Sequence, residues 1–134
     1  MSDFRTVTDD FAVSPQLGPA EVRAAAAQGY AMIINNRPNL EAPDQPMSAE
    51  IEAAALAAGL RYAFVPVVGR PTREQVQAVR AAAASANGKV LAFCRSGTRS
   101  IIAWAMGEIA AGTRTREEVA RLSRQAGYDL TVIL

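Results

Sequence analysis

With 134 residues, the chain is long enough for one domain, residues 1–134, with one hydrophobic core. Its net charge of +1 gives no bulk attraction to nucleic acid or to a membrane surface, and no apolar run reaches membrane-spanning length. One cysteine excludes an internal disulfide, and the absence of histidine excludes His-ligated metal sites and His-dependent catalytic triads. Since the N-terminus lacks an apolar signal core, we expect a cytoplasmic protein. We also expect no metal and no cofactor.

Along the chain, short apolar runs alternate with helical patterns that Pro and Gly separate. Capping boxes at Thr72 and Thr115 mark two helix starts, and Ser48 is expected to cap another. The predicted elements are one or two strands in 4–13, a helix over 19–28, a strand over 30–34, a helix from Ser48 to Gly59, a strand over 62–68, a helix over 72–86, a strand ending at Cys94, a helix from Ser100 to about 111 and a last helix to about 126.

Strands that alternate with helices in this way predict a parallel sheet covered on both faces. The expected fold is therefore a three-layer α/β/α domain with a mostly parallel sheet of four or five strands. Right-handed crossovers place the strand C-termini at one edge, where ligands of such sheets bind. The loop that contains Cys94 and the loop over 35–38 both emerge there.

Cys94 is the most informative residue of the sequence. The apolar run 90–93 delivers it into a tight loop, where the backbone N–H groups and positive end of the next helix favour thiolate over thiol. A buried structural cysteine is the alternative, but a loop with two arginines, a glycine and three hydroxyls suits an anion better than a core. The candidate catalytic residues are Cys94 and Arg99, and the candidate substrate-binding residues are Arg95, Ser96, Gly97, Thr98, Ser100 and Arg37.

Several of the remaining residues have a plain structural interpretation beside a functional one. Arg37 and Arg70 either line an outer pocket or are solvated loop residues, and Arg95 either orients the anionic donor or points into solvent. Ser100 either contacts the anion or caps its helix. The further structural alternatives are core packing for Trp104 and Met106, a turn for Asn35 and Asn36, and a surface carboxylate for Asp44, which could otherwise be a distant general acid.

Residues 94–100, CRSGTRS, resemble the Cys-x4-Arg loop of rhodanese-type sulfurtransferases. The wider pattern resembles the phosphatase-like domain of beta-lactamase hydrolase-like proteins, also known as DUF442 sulfur transferases. This resemblance covers roughly residues 5–130 and implies a dual-specificity-phosphatase-like fold with a persulfide on Cys94. Some members are fused to a persulfide dioxygenase, so the resemblance also implies such a partner and a role in sulfide detoxification. The matching pieces are VSPQL at 13–17, IINNRP at 33–38, QP at 45–46, VPV at 65–67, the Cys94 loop and AGYDL at 126–130.

Three departures from the pattern of cysteine phosphatases favour sulfur chemistry. Arg99 follows Cys94 after four residues, whereas phosphatases have five, and Phe93 stands where they usually have histidine. Residues 67–72, which correspond to their general-acid loop, contain no carboxylate. Cleavage of an unactivated phosphate ester needs a protonated leaving oxygen, whereas sulfite and thiolates leave unprotonated.

The sequence therefore predicts a sulfurtransferase that moves sulfane sulfur through a Cys94 persulfide. Its partners would be a small anionic sulfur donor, thiosulfate or a low-molecular-weight persulfide, and a thiol acceptor. Two alternatives stay open: a phosphatase-like hydrolase with a Cys94 thiophosphate intermediate, and a non-catalytic module that senses anions or redox state.

Overall fold

A five-stranded sheet forms the centre of the structure, a computed structural model that describes residues 3–134. The strands are β1 (Arg5–Thr8), β2 (Phe11–Ser14), β3 (Tyr30–Asn35), β4 (Arg61–Phe64) and β5 (Lys89–Phe93). The helices are α1 (Pro19–Ala27), α2 (Ser48–Ala57), α3 (Arg73–Ser85), α4 (Thr98–Ala110) and α5 (Arg116–Gln125). In the described part of the chain, no helix combines the length and apolar character needed to cross a membrane.

The strand order β1-β2-β5-β3-β4 places the strand before Cys94 in the middle of the sheet. β1 and β2 form an antiparallel hairpin, and the other neighbouring strands are parallel. Phe93 pairs with Ser14 on one side and Asn35 on the other, and Asn35 pairs with Phe64. The C-terminal ends of four strands are therefore level, so that the loops after them meet at one edge.

Side chains of alternating direction bury both faces of the sheet, as expected for strands covered on each side. Leu91 and Phe93 face α1 and α2, whereas Val90 and Ala92 face α3, α4 and α5. Alanines of the helices are buried in both layers, among them Ala25, Ala55, Ala103 and Ala105. The predicted three-layer α/β/α fold with a mostly parallel sheet is confirmed.

Two predicted element bounds are wrong, because Pro66 interrupts the β4 ladder and Gly97 starts α4 early. β4 ends at Phe64, not Val68, and the N–H of Val65 donates to the Asn35 carbonyl at 2.9 Å. Pro66 has no N–H to continue the ladder. α4 begins at Thr98, two residues before the predicted start, because Gly97 supplies the N-cap.

The predicted capping boxes at Thr72 and Thr115 are confirmed, and each threonine hydroxyl accepts a backbone N–H three residues later. The predicted cap at Ser48 is wrong. Met47 occupies the N-cap position, and the Ser48 hydroxyl instead lies 2.6 Å from the Tyr62 hydroxyl. That contact joins α2 to the edge strand β4, so tertiary packing outweighs the local capping preference of serine.

Candidate active site

Cys94 is the first residue after the central strand β5, and backbone hydrogen bonds hold its loop from both sides. The N–H of Asn36 donates to the Phe93 carbonyl at 2.8 Å, and the N–H of Gln16 donates to the Arg95 carbonyl at 3.2 Å. The cysteine therefore lies between the ends of β2 and β3. The predicted meeting of the Cys94 loop and the 35–38 loop at one edge is confirmed.

The Cys94 sulfur lies at the base of its loop. The residue is 1% exposed, and the N–H of Gly97 donates to Sγ at 3.1 Å. Gly97 has a φ of 92° and forms the N-cap of α4, so the positive end of that helix points toward the sulfur. A backbone N–H and a helix N-terminus both stabilise negative charge, which suits a thiolate nucleophile.

Tyr128 fixes the conformation of the loop from the C-terminal segment. Its hydroxyl donates to the Ser96 carbonyl at 2.7 Å, and burial raises the pKa of this tyrosine, which keeps it a donor. The guanidinium of Arg5 lies 5.1 Å from the centre of its ring. A Cβ at Gly97 would stand 2.2 Å from the Tyr128 hydroxyl, so this contact and the positive φ both require glycine here.

Arg99 lies beside Cys94 and is held by an ion pair with Glu41. Arg99 Nη1 donates to Glu41 Oε2 at 2.7 Å and to the Val67 carbonyl at 2.8 Å, and Nη2 donates to Glu41 Oε1 at 2.9 Å. These bonds raise the pKa of Arg99, burial opposes the rise, and the nearby Cys94 sulfur adds to it. The guanidinium is therefore a fixed cation at the sulfur.

Glu41 is shared with a second arginine, Arg37. Arg37 Nε donates to Glu41 Oε1 at 2.9 Å, and its Nη1 donates to the Gln16 side chain at 3.0 Å. Hydrogen bonds from Arg99 lower the pKa of Glu41 from 4.5 to about 2, against partial burial and with added help from Arg37. The carboxylate is therefore ionised at neutral pH.

The hydroxyl residues of the loop divide into two groups. Ser96 and Thr98 lie at the loop mouth, where their hydroxyls are 2.9 Å apart. Ser100 is fully buried, and its hydroxyl donates to Asn36 Oδ1 at 2.8 Å, which ties α4 to the end of β3. Ser100 thus braces the site, and its predicted contact with substrate stays a prediction.

The predicted arginines occupy different environments. Arg37 is only 5% exposed and is committed to Glu41 and Gln16, so it supports the site from within. Arg95 and Arg70 are exposed, and so is Asp44. Direct substrate contact by any of these side chains stays a prediction.

Trp104 and Met106 have the structural role that was the alternative to a functional one. Trp104 stacks on Phe11 at 5.9 Å between ring centres, and Met106 packs against the core. Asn35 and Asn36 are buried and do more than close a turn. Asn35 bonds to the Tyr62 hydroxyl at 3.0 Å, and Asn36 links β4 to α4 through the Val65 carbonyl and Ser100.

Glu41 is the site residue that the sequence analysis missed. It lies in an irregular loop without hydrophobic periodicity, and its partner Arg99 is 58 positions away. The one local signal is the spacing of Arg37 and Glu41, which form an i,i+4 ion pair. That spacing is informative on helices, and this segment is not helical.

Within residues 3–134, no three Cys, Asp or Glu side chains cluster in a way that could hold a metal ion. The surroundings of Cys94 include a guanidinium, backbone N–H groups and hydroxyls, and the nearby Glu41 carboxylate is bound to two arginines. The arrangement can therefore bind an oxyanion, stabilise a thiolate and perform nucleophilic displacement at an atom delivered to the sulfur.

The chain is similar in sequence and in fold to known proteins. Residues 3–111 match the family model described as "Beta-lactamase hydrolase-like protein, phosphatase-like domain". The beta-lactamase hydrolase-like protein of Xylella fastidiosa is 41% identical over 125 residues, which cover 92% of this chain and 29% of that protein. The chain thus spans less than a third of the length of this relative.

Two solved structures place the fold among phosphatases. A candidate phosphatase of Neisseria meningitidis is 30% identical with a TM-score of 0.88, and the match covers 99% of this chain and 94% of that one. A kinase-associated phosphatase is 14% identical with a TM-score of 0.71, over 91% of this chain and 79% of that one, and shows the fold alone. The fold is of the dual-specificity-phosphatase type, and the chain belongs to the phosphatase-like domain family of beta-lactamase hydrolase-like proteins.

Proposed function

We propose that this domain is a cysteine-dependent sulfurtransferase that carries sulfane sulfur as a Cys94 persulfide. The observation that carries the proposal is the state of Glu41, the carboxylate at the site. Its pKa of about 2 and its bonds to two arginines keep it ionised, so it cannot donate a proton near neutral pH. A site with this carboxylate suits a reaction whose leaving group departs without a proton.

The first step is a displacement at sulfur. The Cys94 thiolate attacks the outer sulfur of thiosulfate, an S–S bond forms to Sγ, the donor S–S bond breaks, and its electron pair leaves with sulfite. The N–H of Gly97, which donates to Sγ at 3.1 Å, stabilises the thiolate before the step. Arg99 faces the departing oxyanion, and no proton transfer is required.

The second step returns the enzyme to its starting state. A thiolate acceptor attacks the outer sulfur of the Cys94 persulfide, forms a new persulfide and releases the Cys94 thiolate with the electron pair. A low-molecular-weight persulfide serves as an alternative donor by the same bond changes. A persulfide dioxygenase is a partner suited to consume the product. Donor and acceptor act in turn, so the proposed kinetics are ping-pong.

A phosphatase is the second candidate, favoured by the family description and by the Neisseria meningitidis neighbour. The Arg99 guanidinium beside Cys94 suits a phosphoryl group as well as a sulfonate. The two candidates differ in their need for a general acid. An alkyl phosphate needs a proton on its leaving oxygen, which the ionised Glu41 does not supply.

The test is mass spectrometry of the intact protein after incubation with thiosulfate or glutathione persulfide. We expect one added sulfur atom on the wild type, none on Cys94→Ser, and loss of the sulfur when cyanide or a thiol is added. No added sulfur from either donor, together with turnover of an alkyl phosphate, would overturn the proposal in favour of the phosphatase. Thermal unfolding of Cys94→Ser serves as the control. If its midpoint equals that of the wild type, the missing sulfur reflects the lost thiol and not an unfolded protein.

A further inference from the structure

We infer that Glu41 is a positioning residue, which occupies one edge of the Arg99 guanidinium so that the other edge is presented to an oxyanion at Cys94. The inference deepens the proposed function. It depends on that function only for the identity of the oxyanion. In the proposed sulfurtransferase the oxyanion is the sulfonate group of thiosulfate. In a phosphatase it would be a phosphoryl group.

The guanidinium of Arg99 has five N–H groups, and three have identified acceptors. The two terminal nitrogens bind the two oxygens of Glu41, and the second N–H of Nη1 binds the Val67 carbonyl. Nε–H and the second N–H of Nη2 have no oxygen acceptor among residues 3–134, and the Cys94 sulfur is a further hydrogen-bonding neighbour of this guanidinium. These two groups share one edge and form the fork that binds two oxygens of a single anion.

The loop that carries Glu41 is built to hold this geometry. Leu40, directly before Glu41, has a φ of 67° and is 79% exposed, both unfavourable for leucine. The Gln45 side chain accepts the N–H of Glu41 at 3.0 Å and donates to the Pro38 carbonyl at 2.8 Å. The cost at Leu40 is thus offset by contacts that fix Glu41.

Arg37 prevents Glu41 from turning toward the substrate. Its side chain is 6% exposed and bonds to Glu41 Oε1 at 2.9 Å, on the carboxylate oxygen that also accepts from Arg99 Nη2. Because Arg37 is buried, loss of Glu41 would leave it without its countercharge. The carboxylate therefore stays between two cations, and the free edge of Arg99 stays beside Cys94.

A fixed edge is worth more to an oxyanion than a mobile cation of the same charge. Without Glu41, Arg99 retains one backbone acceptor, the Val67 carbonyl, and its side chain gains rotamers that point away from Cys94. The negative charge of Glu41 has the opposite effect on anion binding. Its removal leaves a more positive site, which attracts an anion more strongly. We expect the orientation effect to dominate, because the two-oxygen fork requires a defined plane.

The test compares Glu41→Gln with Glu108→Gln, whose carboxylate also bridges two arginines but lies at the far end of α4. Calorimetry with sulfate and, separately, with inorganic phosphate measures oxyanion binding without turnover. We expect Glu41→Gln to weaken oxyanion binding about tenfold, and Glu108→Gln to leave it within about twofold. The anion that binds more tightly to the wild type identifies the favoured source. Sulfate and phosphate affinities that are unchanged or higher in Glu41→Gln would overturn the inference.

A second measurement separates positioning from general loosening of the fold. With thiosulfate as donor, Glu41→Gln should raise KM about tenfold, whereas an alkyl persulfide, which has no oxygens beside the transferred sulfur, should change less than about twofold. A merely structural role would impair both donors equally. If the wild type forms no persulfide, the proposed function fails, but the calorimetric comparison still decides the role of Glu41.

Discussion

Two Arg–Glu–Arg clusters occupy different ends of this domain, and only one of them lies beside the cysteine. In the first, Arg37 and Arg99 share Glu41 in the loops at the C-terminal edge of the sheet. In the second, Arg80 and Arg114 share Glu108, at N–O distances of 2.6 and 2.9 Å, against a cavity of about 290 Å³. The paired groups are the same, so the difference lies in what surrounds them.

The first cluster is enclosed on its arginine side and the second is open. The side chains of Arg37 and Arg99 are 6% and 18% exposed, against 40% and 33% for Arg80 and Arg114. About 14 Å of helix separates Arg99 from Glu108. An enclosed arginine keeps its direction and strengthens its field, whereas water screens an open one. An Arg–Glu–Arg cluster therefore marks a site only where enclosure and a reactive group coincide.

The largest expected effect on catalysis comes from substitution of Arg99. Arg99→Lys replaces a planar fork by a point charge, and we expect kcat/KM for thiosulfate to fall about 100-fold. Arg114→Lys, the matched change in the open cluster, should leave kcat/KM within about twofold. Steady-state kinetics of both variants with one donor provides the measurement. Equal kcat/KM values for the two variants would show that Arg99 does not act on the donor.

The two ends of α4 also differ in what their glycines tolerate. Gly97→Ala places a methyl 2.2 Å from the Tyr128 hydroxyl at a φ of 92°, and we expect a loss of roughly 2 to 4 kcal/mol in unfolding free energy. Gly107→Ala meets its nearest atom, Val76 Cγ1, at an ordinary 3.5 Å. It should stabilise the protein by up to about 1 kcal/mol, because alanine favours the helix interior.

Urea unfolding at neutral pH measures both glycine variants. If Gly97→Ala does not fold, the combination Gly97→Ala with Tyr128→Phe supplies a second test, because it removes the hydroxyl that the new methyl meets. The double variant should then be the more stable of the two. Equal stability of Gly97→Ala and Gly107→Ala would contradict the contrast between the two ends of the helix.

The sequence predicted most of the fold and the position of the Cys94 loop, because both depend on local signals. The capping boxes at Thr72 and Thr115 involve residues three positions apart, and the loop from Cys94 to Ser100 is contiguous. In such patterns the neighbouring residues alone indicate the local structure. The order of strands and helices then placed the ends of the parallel strands at one edge of the sheet.

The contacts that complete the site were beyond the sequence because they join distant residues. The bonds of Glu41 to Arg99 span 58 positions, and the bond of Tyr128 to Ser96 spans 32. Neither residue lies at a periodic position that would mark it. The wrong cap at Ser48 has the same origin, since the hydroxyl bonds to Tyr62 on another element instead of to its own helix.

The smallest expected effect is the acid response of the two carboxylates. Hydrogen bonds from Arg99 hold the pKa of Glu41 at about 2 against 4.5 in the unfolded chain. At Glu108 burial opposes ionisation, but the bonds from Arg80 and Arg114 outweigh it and lower the pKa. A folded-state pKa below the unfolded one stabilises the protein above pH 4.5, and this contribution is lost as the pH falls toward the folded value.

The comparison of Glu41→Gln with the wild type by urea unfolding at several pH values measures this contribution. We expect its pH-dependent part to be about 1 to 2 kcal/mol at pH 7, after allowance for screening by water, and to shrink as the pH falls from about 5 toward 2. The gap for Glu108→Gln should shrink in the same direction but less, because its arginines are more exposed. A gap for Glu41→Gln that stays constant with pH would mean that shape, and not ionisation, sets its contribution. The enclosure of Arg37 and Arg99 would then matter for their direction and not for the ionisation of Glu41.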